Sequence, residues 1–144
     1  MPKQALNEIR CTFLSRSENE ALARSIISGF LLPLDPTVDE LADIRCAISE
    51  AVTNCIVHGY RGTSGMIVLA AKSFDDRSVR ITVIDHGCGI EDVALAMSPS
   101  YTTGDTFERC GMGFLVMESF TDFLSVKSRV GKGTTVLMKK KLKP

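Results

Sequence analysis

In the segment SEAVTNCIVHGY (residues 49–60), a carboxylate, a carboxamide and an imidazole recur at four-residue intervals, at Glu50, Asn54 and His58. Four residues of an α-helix turn through about 400°, so Glu50 and Asn54 lie within about 40° of each other on one face. A carboxamide oxygen suits a hard cation such as Mg²⁺, and a carboxylate one turn away can accept a proton or orient a hydroxyl. The spacing is also common by chance, and alone it favours a solvated helix edge. For His58 we expect a hydrogen bond or a favourable dipole position at the helix end.

An acidic residue also ends an apolar strand, VRITVID (residues 79–85). Because side chains alternate along a strand, Asp85 shares a face with three apolar residues and is expected to be half-buried. A buried carboxylate needs hydrogen-bond donors, and the amino group of adenine is a suitable one. Gly87 and Gly89 follow, and they let a ligand approach the backbone at the rim of a sheet. Taken alone, the segment DHGCG is equally typical of a plain turn.

A third feature is a pair of glycines before an apolar, helical stretch. Gly111 and Gly113 in CGMGF offer backbone N–H groups at the start of that helix, which predicts a phosphate cradle. Ahead of them, MSPSYTTGDTFERC (residues 97–110) has little periodicity and many small polar residues, which predicts a long loop that serves as a lid. A lone GxG is weak evidence. The order of ExxxN on a helix, DxGxG at a strand end, a lid and GxG opening a helix is hard to obtain by chance.

The rest of the chain supplies the elements that must position these residues. A capping box of Thr37 and Glu40 opens the helix that carries Glu50, and this helix is expected to run to about His58, where Gly59 caps it. An earlier helix begins at a Ser17 cap, and the predicted strands cover residues 8–15, 66–74, 79–85, 123–130 and 134–142.

The composition bounds the class of protein. With 144 residues, 44% of them apolar, the chain fits a single globular domain spanning residues 1–144. Its 17 basic and 17 acidic residues leave no net charge, so no direct binding of nucleic acid is implied. The longest apolar run, residues 66–71, is far short of a membrane span, and the first ten residues lack the apolar core of a signal peptide. We therefore expect a cytoplasmic protein, with five scattered cysteines that are reduced and mostly packed.

The order of these motifs resembles the ATP-binding fold shared by gyrase B, Hsp90, histidine kinases and MutL. The segments SEAVTNCIVHGY, LDPTVDEL, ERCGMGFLVME and GKGTT together resemble more closely the sporulation anti-sigma F factors, a branch of serine protein kinases. The resemblance covers nearly the whole chain, and the anti-sigma B type is similar but less close. It implies an α/β two-layer sandwich, with one mixed, mainly antiparallel sheet and helices on one face.

The resemblance also implies roles for individual residues. Glu50 matches the general base, Asn54 the Mg²⁺ ligand, and Asp85 the acid that binds adenine. The other implied nucleotide contacts are Gly87 and Gly89 beside adenine, Thr134 assisting there through water, and Arg109, Gly111, Met112, Gly113 and Phe114 beside the phosphates.

Two further positions are interpreted through the family. Arg24 matches an arginine that contacts protein partners. Without the resemblance, the sequence predicts only that Arg24 forms a solvated i, i+4 ion pair with Glu20. A solvated position in the lid is the alternative for Arg109. The segment TTGD carries Gly104 where relatives often have a lysine after the threonine pair, so a phosphate contact from that lysine is missing.

The implied function is that of a cytosolic homodimer that, with ADP or ATP bound, sequesters a sporulation sigma factor. It would also transfer the ATP γ-phosphate, with Mg²⁺, to a serine of an anti-anti-sigma factor. One alternative is an anti-sigma B-type kinase of the stress response. Another is a nucleotide-gated binding module without phosphoryl transfer, against which Glu50 argues. A histidine kinase fragment would need a phospho-accepting histidine on a dimerisation helix, and neither His58 nor His86 lies on one.

Overall fold

The computed structural model describes residues 3–97 and 105–144, and for residues 105–112 it describes the helix but not the side chains. The strands are β1 (Ala5–Leu14), β2 (Met66–Phe74), β3 (Ser78–Asp85), β4 (Phe123–Arg129) and β5 (Gly133–Lys141). The helices are α1 (Asn19–Leu31), α2 (Val38–Asn54), α3 (Val93–Ala96) and α4 (Asp105–Phe120). A 3₁₀ turn (Leu32–Leu34) follows α1, and a π-helical turn (Cys55–Gly59) extends α2.

The five strands form one sheet in the order β1-β2-β3-β5-β4. All four pairings are antiparallel, so the expected mixed sheet is purely antiparallel over the described residues. Hairpins join β2 to β3 and β4 to β5, as the sequence predicts. The helices pack on one face of the sheet, and the resulting α/β sandwich confirms the predicted fold. Fully buried side chains from both layers build the core, among them Ile27, Ile48, Leu69, Val83, Met117 and Met138.

Helix α2 begins with the predicted capping box. The Glu40 backbone N–H donates to the Thr37 hydroxyl at 3.1 Å, and the Thr37 N–H donates to the Glu40 carboxylate at 2.9 Å. The other oxygen of Glu40 accepts the Lys143 N–H at 2.7 Å, which ties the end of the chain to this helix. Burial raises the pKa of Glu40, but these hydrogen bonds outweigh it and the pKa lies below its ordinary value. Glu40 therefore accepts the hydrogen bonds from Thr37 and Lys143 as a carboxylate.

Two predicted helix caps are wrong. Helix α1 starts two residues after Ser17, and no side chain caps it. Gly59 lies inside the π-helical turn rather than ending α2 in a left-handed conformation, which Arg61 and Gly62 adopt instead. The reason for glycine at this position is spatial, because a Cβ on Gly59 would lie 3.0 Å from the Asp85 carboxylate.

The loop predicted through residue 110 is also wrong in its second half, since α4 begins at Asp105. Gly111 and Gly113 therefore lie inside this helix and not ahead of it. Phe114 and Met117 anchor α4 in the core, and an anchored helix extends readily through neighbouring residues because propagation is easier than nucleation. The first half of the predicted lid, including Gly104, falls on residues 98–104 and lies outside the described part of the chain.

Candidate functional site

A cavity of about 280 Å³ opens between the sheet and the helical layer. The end of α2, the π-helical turn, β3, β5, α3 and α4 all contribute to its wall. It brings together five of the residues predicted from the sequence, which are Asn54, Asp85, Gly89, Phe114 and Thr134. Its further lining includes His58 and Cys55, so residues distant in the chain meet at one place.

Asp85 lines the cavity. It terminates β3 as the alternation predicts, but at 5% exposure it is fully buried rather than half-buried. One carboxylate oxygen accepts the Gly87 N–H at 2.9 Å. Cys55 lies nearby, and burial, followed by the Asp85 charge, raises the pKa of its thiol well above the ordinary value. The Gly87 N–H thus fixes one oxygen of the carboxylate at the cavity wall.

Thr134 lies directly across from Asp85 in the pairing of β3 with β5. Its hydroxyl is 2.8 Å from the Ser128 hydroxyl, and Ser128 in turn accepts the Ile90 N–H at 2.7 Å. Ser128 also contacts the Gly133 carbonyl at 3.1 Å. The serine thus joins the rim loop after β3 to the β4–β5 hairpin and orients Thr134. Sequence reasoning missed Ser128, although its place on the inward face of β4 was a usable signal.

Glu50 and Asn54 meet beneath α4. A Cβ placed on Gly113 would lie 3.2 Å from both the Glu50 Oε2 and the Asn54 Nδ2, so both side chains lie directly against this point of the helix. The predicted shared face of α2 is therefore confirmed. The Asn54 Nδ2 is buried and has no hydrogen-bond partner among the described residues, which leaves the carboxamide with unused bonding capacity at the cavity. Glu50 lies beside the cavity rather than in its wall.

The two glycines after Asp85 are required by the protein backbone itself. A Cβ on Gly87 would lie 2.1 Å from the Gly59 carbonyl oxygen, and Gly89 has a φ of 77° with the Arg129 carbonyl 2.2 Å from its Cβ position. Between them, the Cys88 N–H donates to the Gly59 carbonyl at 2.9 Å. The segment is thus packed between the π-helical turn and the β4–β5 hairpin. Gly89 lines the cavity, whereas Gly87 does not.

The base of this segment is held by Tyr60, which the sequence did not single out. Its hydroxyl accepts the His86 N–H at 2.8 Å and donates to the Met66 carbonyl. Its ring fills the space beside Gly65, where any Cβ would clash with it. The sequence feature that could have identified Tyr60 is its position directly after the glycine that ends the helical segment.

His58 lies at the end of the π-helical turn, as predicted, and its side chain also lines the cavity. The side chains of Arg109 and Met112 lie outside the described part of the chain, as does any contact of Gly111. Arg24 is remote from the cavity, on α1. Its guanidinium pairs with Glu20 at 3.3 Å, which confirms the i, i+4 pair, although both side chains are partly buried rather than solvated. Glu20 also accepts a hydrogen bond from Ser49 of α2.

The residues that the structure describes lack two features, a metal-binding cluster and a membrane-spanning helix. No group of three or more His, Cys, Asp or Glu side chains that could hold a metal ion occurs among them. No helix there has the length and apolar character needed to cross a membrane.

Comparison with known proteins identifies the family. A family model described as a histidine kinase-like ATPase domain matches residues 13–140. The anti-sigma F factor of Caldanaerobacter subterraneus subsp. tengcongensis is 51% identical over 134 residues, which is 93% of each chain. That of Clostridium acetobutylicum is 48% identical over 135 residues, 94% of each chain. Such identity over such coverage establishes common family membership, and the resemblance noted in the sequence is confirmed.

Solved structures agree on the fold. The crystal structure of the RsbU and RsbW domains of a Mycobacterium tuberculosis protein has a TM-score of 0.70 at 24% identity, covering 96% of this chain and 33% of that one. The histidine kinase domain of a blue-light-activated kinase from Erythrobacter litoralis has a TM-score of 0.57 at 24% identity, covering 73% of this chain and 46% of that one. An ATPase domain of this kind implies nucleotide binding and ATP-using, kinase-type chemistry. The chain belongs to the histidine kinase-like ATPase family and, within it, to the anti-sigma F factors.

Proposed function

We propose that this chain is an anti-sigma factor that binds ATP or ADP in the cavity beside Asp85 and inhibits a sporulation sigma factor. With ATP and Mg²⁺ it phosphorylates a serine of an anti-anti-sigma factor. The observation that carries the proposal is the cavity, which joins Asp85 to Asn54 and adjoins Glu50. The names of the relatives support the choice of a sigma factor as partner.

Among the residues that line the cavity, Asp85 is the one that we assign to the adenine base. Its buried carboxylate accepts a hydrogen bond from the Gly87 N–H and has further acceptor capacity for an exocyclic amino group. Thr134, opposite it, offers a hydroxyl to the same edge, directly or through water. Guanine presents a carbonyl oxygen where adenine has its amino group, so Asp85 selects against it.

Towards α4, Asn54 is the proposed protein ligand of Mg²⁺. Its side chain lines the cavity and carries a carboxamide oxygen, the kind of atom that ligates a hard cation, and the described residues provide no cluster of acidic ligands that would hold the ion alone. Mg²⁺ commonly takes one or two protein oxygens and completes its shell with waters and substrate phosphates. ATP supplies the phosphoryl group, and the ion neutralises charge on its phosphates.

Glu50 is the proposed general base. Glu50 and Asn54 both approach the Cβ position of Gly113. The proposed proton acceptor therefore lies beside the proposed cation ligand. Phosphoryl transfer depends mainly on positioning and on charge stabilisation, and Glu50 needs only to orient the serine hydroxyl and accept its proton. This adjacency distinguishes the proposal from a binding module that only senses nucleotide.

Phosphate contact through Gly111 and Gly113 requires the first turns of α4 to unwind, because N–H groups within an α-helix donate to its own carbonyls. Glycine in a helix costs about 0.5–1 kcal/mol relative to alanine, so this part of α4 is easier to open than the rest. We propose that phosphate binding opens it and engages Arg109, Met112 and Phe114 near the phosphates. Gly87 and Gly89 keep the opposite rim closely packed.

The protein partners are assigned to a different surface. Arg24 lies on α1, outside the cavity, and Glu20 holds its guanidinium in place. We propose that Arg24 contacts both the sigma factor and the anti-anti-sigma factor, and that a cytoplasmic homodimer presents two such surfaces.

The direct test is incubation of the purified protein with γ-labelled ATP, Mg²⁺, a sporulation sigma factor and its anti-anti-sigma factor. The expected result is label on one serine of the anti-anti-sigma factor, absent when that serine is replaced by alanine, and a sigma complex that requires nucleotide. Nucleotide-dependent sigma binding without any label would favour the nucleotide-gated module. Failure to bind the sigma factor would contradict the proposal as a whole.

A further inference from the structure

The sheet face that points away from the helices carries an unbalanced positive charge. Across β3, β5 and β4, its outward positions hold basic side chains and no acidic ones, and the basic residues are Arg80, Lys127, Arg129, Lys139 and Lys141. The chain as a whole has equal numbers of the two signs, 17 of each. No ion pair involves any of these five side chains within the described residues. Positive charge is therefore concentrated on this face.

The arrangement is unfavourable for the sheet itself. Arg80 and Lys139 are direct partners in the pairing of β3 with β5, and like charges directly opposite each other destabilise a sheet. Solubility alone does not require this, because a surface of mixed signs is as well solvated without the repulsion. An acidic ligand would neutralise this repulsion.

Three of these basic residues, Arg80, Lys127 and Lys139, line a shallow groove of about 450 Å³ on this face, which we call the basic groove. Leu137 lies at its centre, directly between Thr82 of β3 and Ser125 of β4 in the register of the strands. Arg80 and Lys139 line one end, and the far end is basic as well. The groove thus has positive charge at each end and, between the two ends, an apolar centre flanked by hydroxyl groups.

The spacing of the charges matches an extended peptide. Lys127 is paired with Thr135, four residues along β5 from Lys139. At about 3.4 Å per residue, the two charged ends are roughly 13 Å apart, the length of four residues of extended chain. Side chains at alternate positions of such a segment share one face. Acidic residues at the first and fifth positions and an apolar residue at the third would meet the two charged ends and Leu137.

We propose that the basic groove binds an extended segment of a protein partner in which acidic, apolar and acidic residues occupy alternate positions. The site is separate from the proposed nucleotide site, because none of the residues that line the groove lines the cavity beside Asp85. A result that refutes one of the two proposals therefore does not refute the other.

The aromatic residues on this face disfavour single-stranded nucleic acid as the ligand. Phe123 is 47% exposed, but the Lys139 ammonium stands 4.8 Å from its ring centre. The ring of Phe74 has Lys3 and Arg80 each at 5.7 Å. Bases bind such proteins by stacking on open ring faces, and these rings are already occupied by cations. A second copy of this chain is disfavoured as well, because it would bring one set of cations against another.

Fluorescence anisotropy with two labelled serine heptapeptides tests the proposal. In the first, Glu, Leu and Glu occupy alternate positions, and in the second the same residues are reordered so that the two Glu are adjacent. The wild-type protein is expected to bind the first peptide about ten-fold more tightly or better. Equal binding of the two peptides would overturn the proposal, since it would leave only general attraction between opposite charges.

Charge-reversal variants test whether the peptide binds in the basic groove. The double variant Lys127→Glu, Lys139→Glu is expected to lose about ten-fold or more in affinity, because two attractions become repulsions. The control Arg16→Glu, Lys132→Glu changes the same charge at exposed positions outside the groove and should lose less than about two-fold by the same reasoning. An equal loss in both variants would refute the location.

Three further measurements complete the test. Leu137→Ser keeps every charge, and it should weaken binding of the first peptide more than that of the second, even if the double variant fails to fold. Tighter binding of a single-stranded oligonucleotide of the same charge as the peptide would overturn the proposal in favour of nucleic acid. Self-association lost in Lys139→Glu, with no peptide binding by the wild type, would overturn it in favour of a second copy.

Discussion

Replacing Asp85 by asparagine separates base recognition from folding. Asparagine has nearly the same shape and keeps one oxygen that can accept the Gly87 N–H, now 2.9 Å from the carboxylate. Its other end becomes an NH₂ donor, which repels the amino group of adenine and suits the carbonyl of guanine. The substitution therefore reverses the hydrogen-bonding preference at one atom of the cavity wall and leaves the packing in place.

The size of the effect follows from burial. Asp85 is 5% exposed, so water competes little for its carboxylate. A hydrogen bond to a charged group contributes about 1.5–3 kcal/mol, and each 1.4 kcal/mol is about ten-fold in affinity. Asp85→Asn should therefore weaken ATP binding by roughly 10–150-fold. The wild type should prefer ATP to GTP by at least roughly ten-fold, and the variant should lose most of that preference.

The assay is titration of each protein with ATP and GTP by calorimetry, with thermal melting as the check on folding. Asp39→Asn is the matched control, because it makes the same change at an exposed position in the first turn of α2. Its ATP affinity should equal that of the wild type. If wild-type protein binds GTP as tightly as ATP, Asp85 does not read the base and the proposed nucleotide position is wrong.

Three other predictions concern the cation, the rim and pH. Asn54→Ala should abolish most of the gain in ATP affinity that Mg²⁺ gives the wild type, and an equal gain in both proteins would exclude Asn54 as a ligand. Gly87→Ala should lower the melting temperature by several degrees, because its Cβ would lie 2.1 Å from the Gly59 carbonyl, whereas Gly29→Ala meets no atom within 4 Å and should not. Because hydrogen bonds lower the pKa of Glu40, its contribution to stability is present above its unfolded pKa and is lost as the pH falls through its lower folded value. Glu40→Gln should therefore flatten the stability profile below about pH 4, and an unchanged profile would contradict this assignment.

Features set by local sequence were predicted well. The capping box at Thr37 depends on two side chains three residues apart, and both of its hydrogen bonds are present. The alternation in residues 79–85 requires only the period of a strand, and it placed Asp85 on the buried face. The four-residue spacing of Glu50 and Asn54 likewise requires only the period of a helix. In each case the information lies within one element.

Features that depend on packing between elements were not predictable in this way. The start of α4 was not predicted because the small polar residues in this segment are typical of a loop. Phe114, which anchors the helix in the core, lies on the following turn. Gly59 and Gly87 were given conformational or ligand-related roles, yet the atoms that exclude a side chain come from other segments. Ser128 orients Thr134 only through the pairing of β4 with β5. Such roles require knowledge of which elements become neighbours.

The central claim is that one site both holds ATP and transfers its phosphoryl group with Glu50 as the base. The most direct test compares Glu50→Gln with Glu118→Gln, the same change at an exposed position on α4. For each protein we would measure ATP affinity and the rate of serine phosphorylation on the anti-anti-sigma factor. Glu50→Gln should bind ATP nearly normally and transfer phosphate roughly 10²–10⁴-fold more slowly, while Glu118→Gln resembles the wild type. Transfer by Glu50→Gln at the wild-type rate would contradict the account.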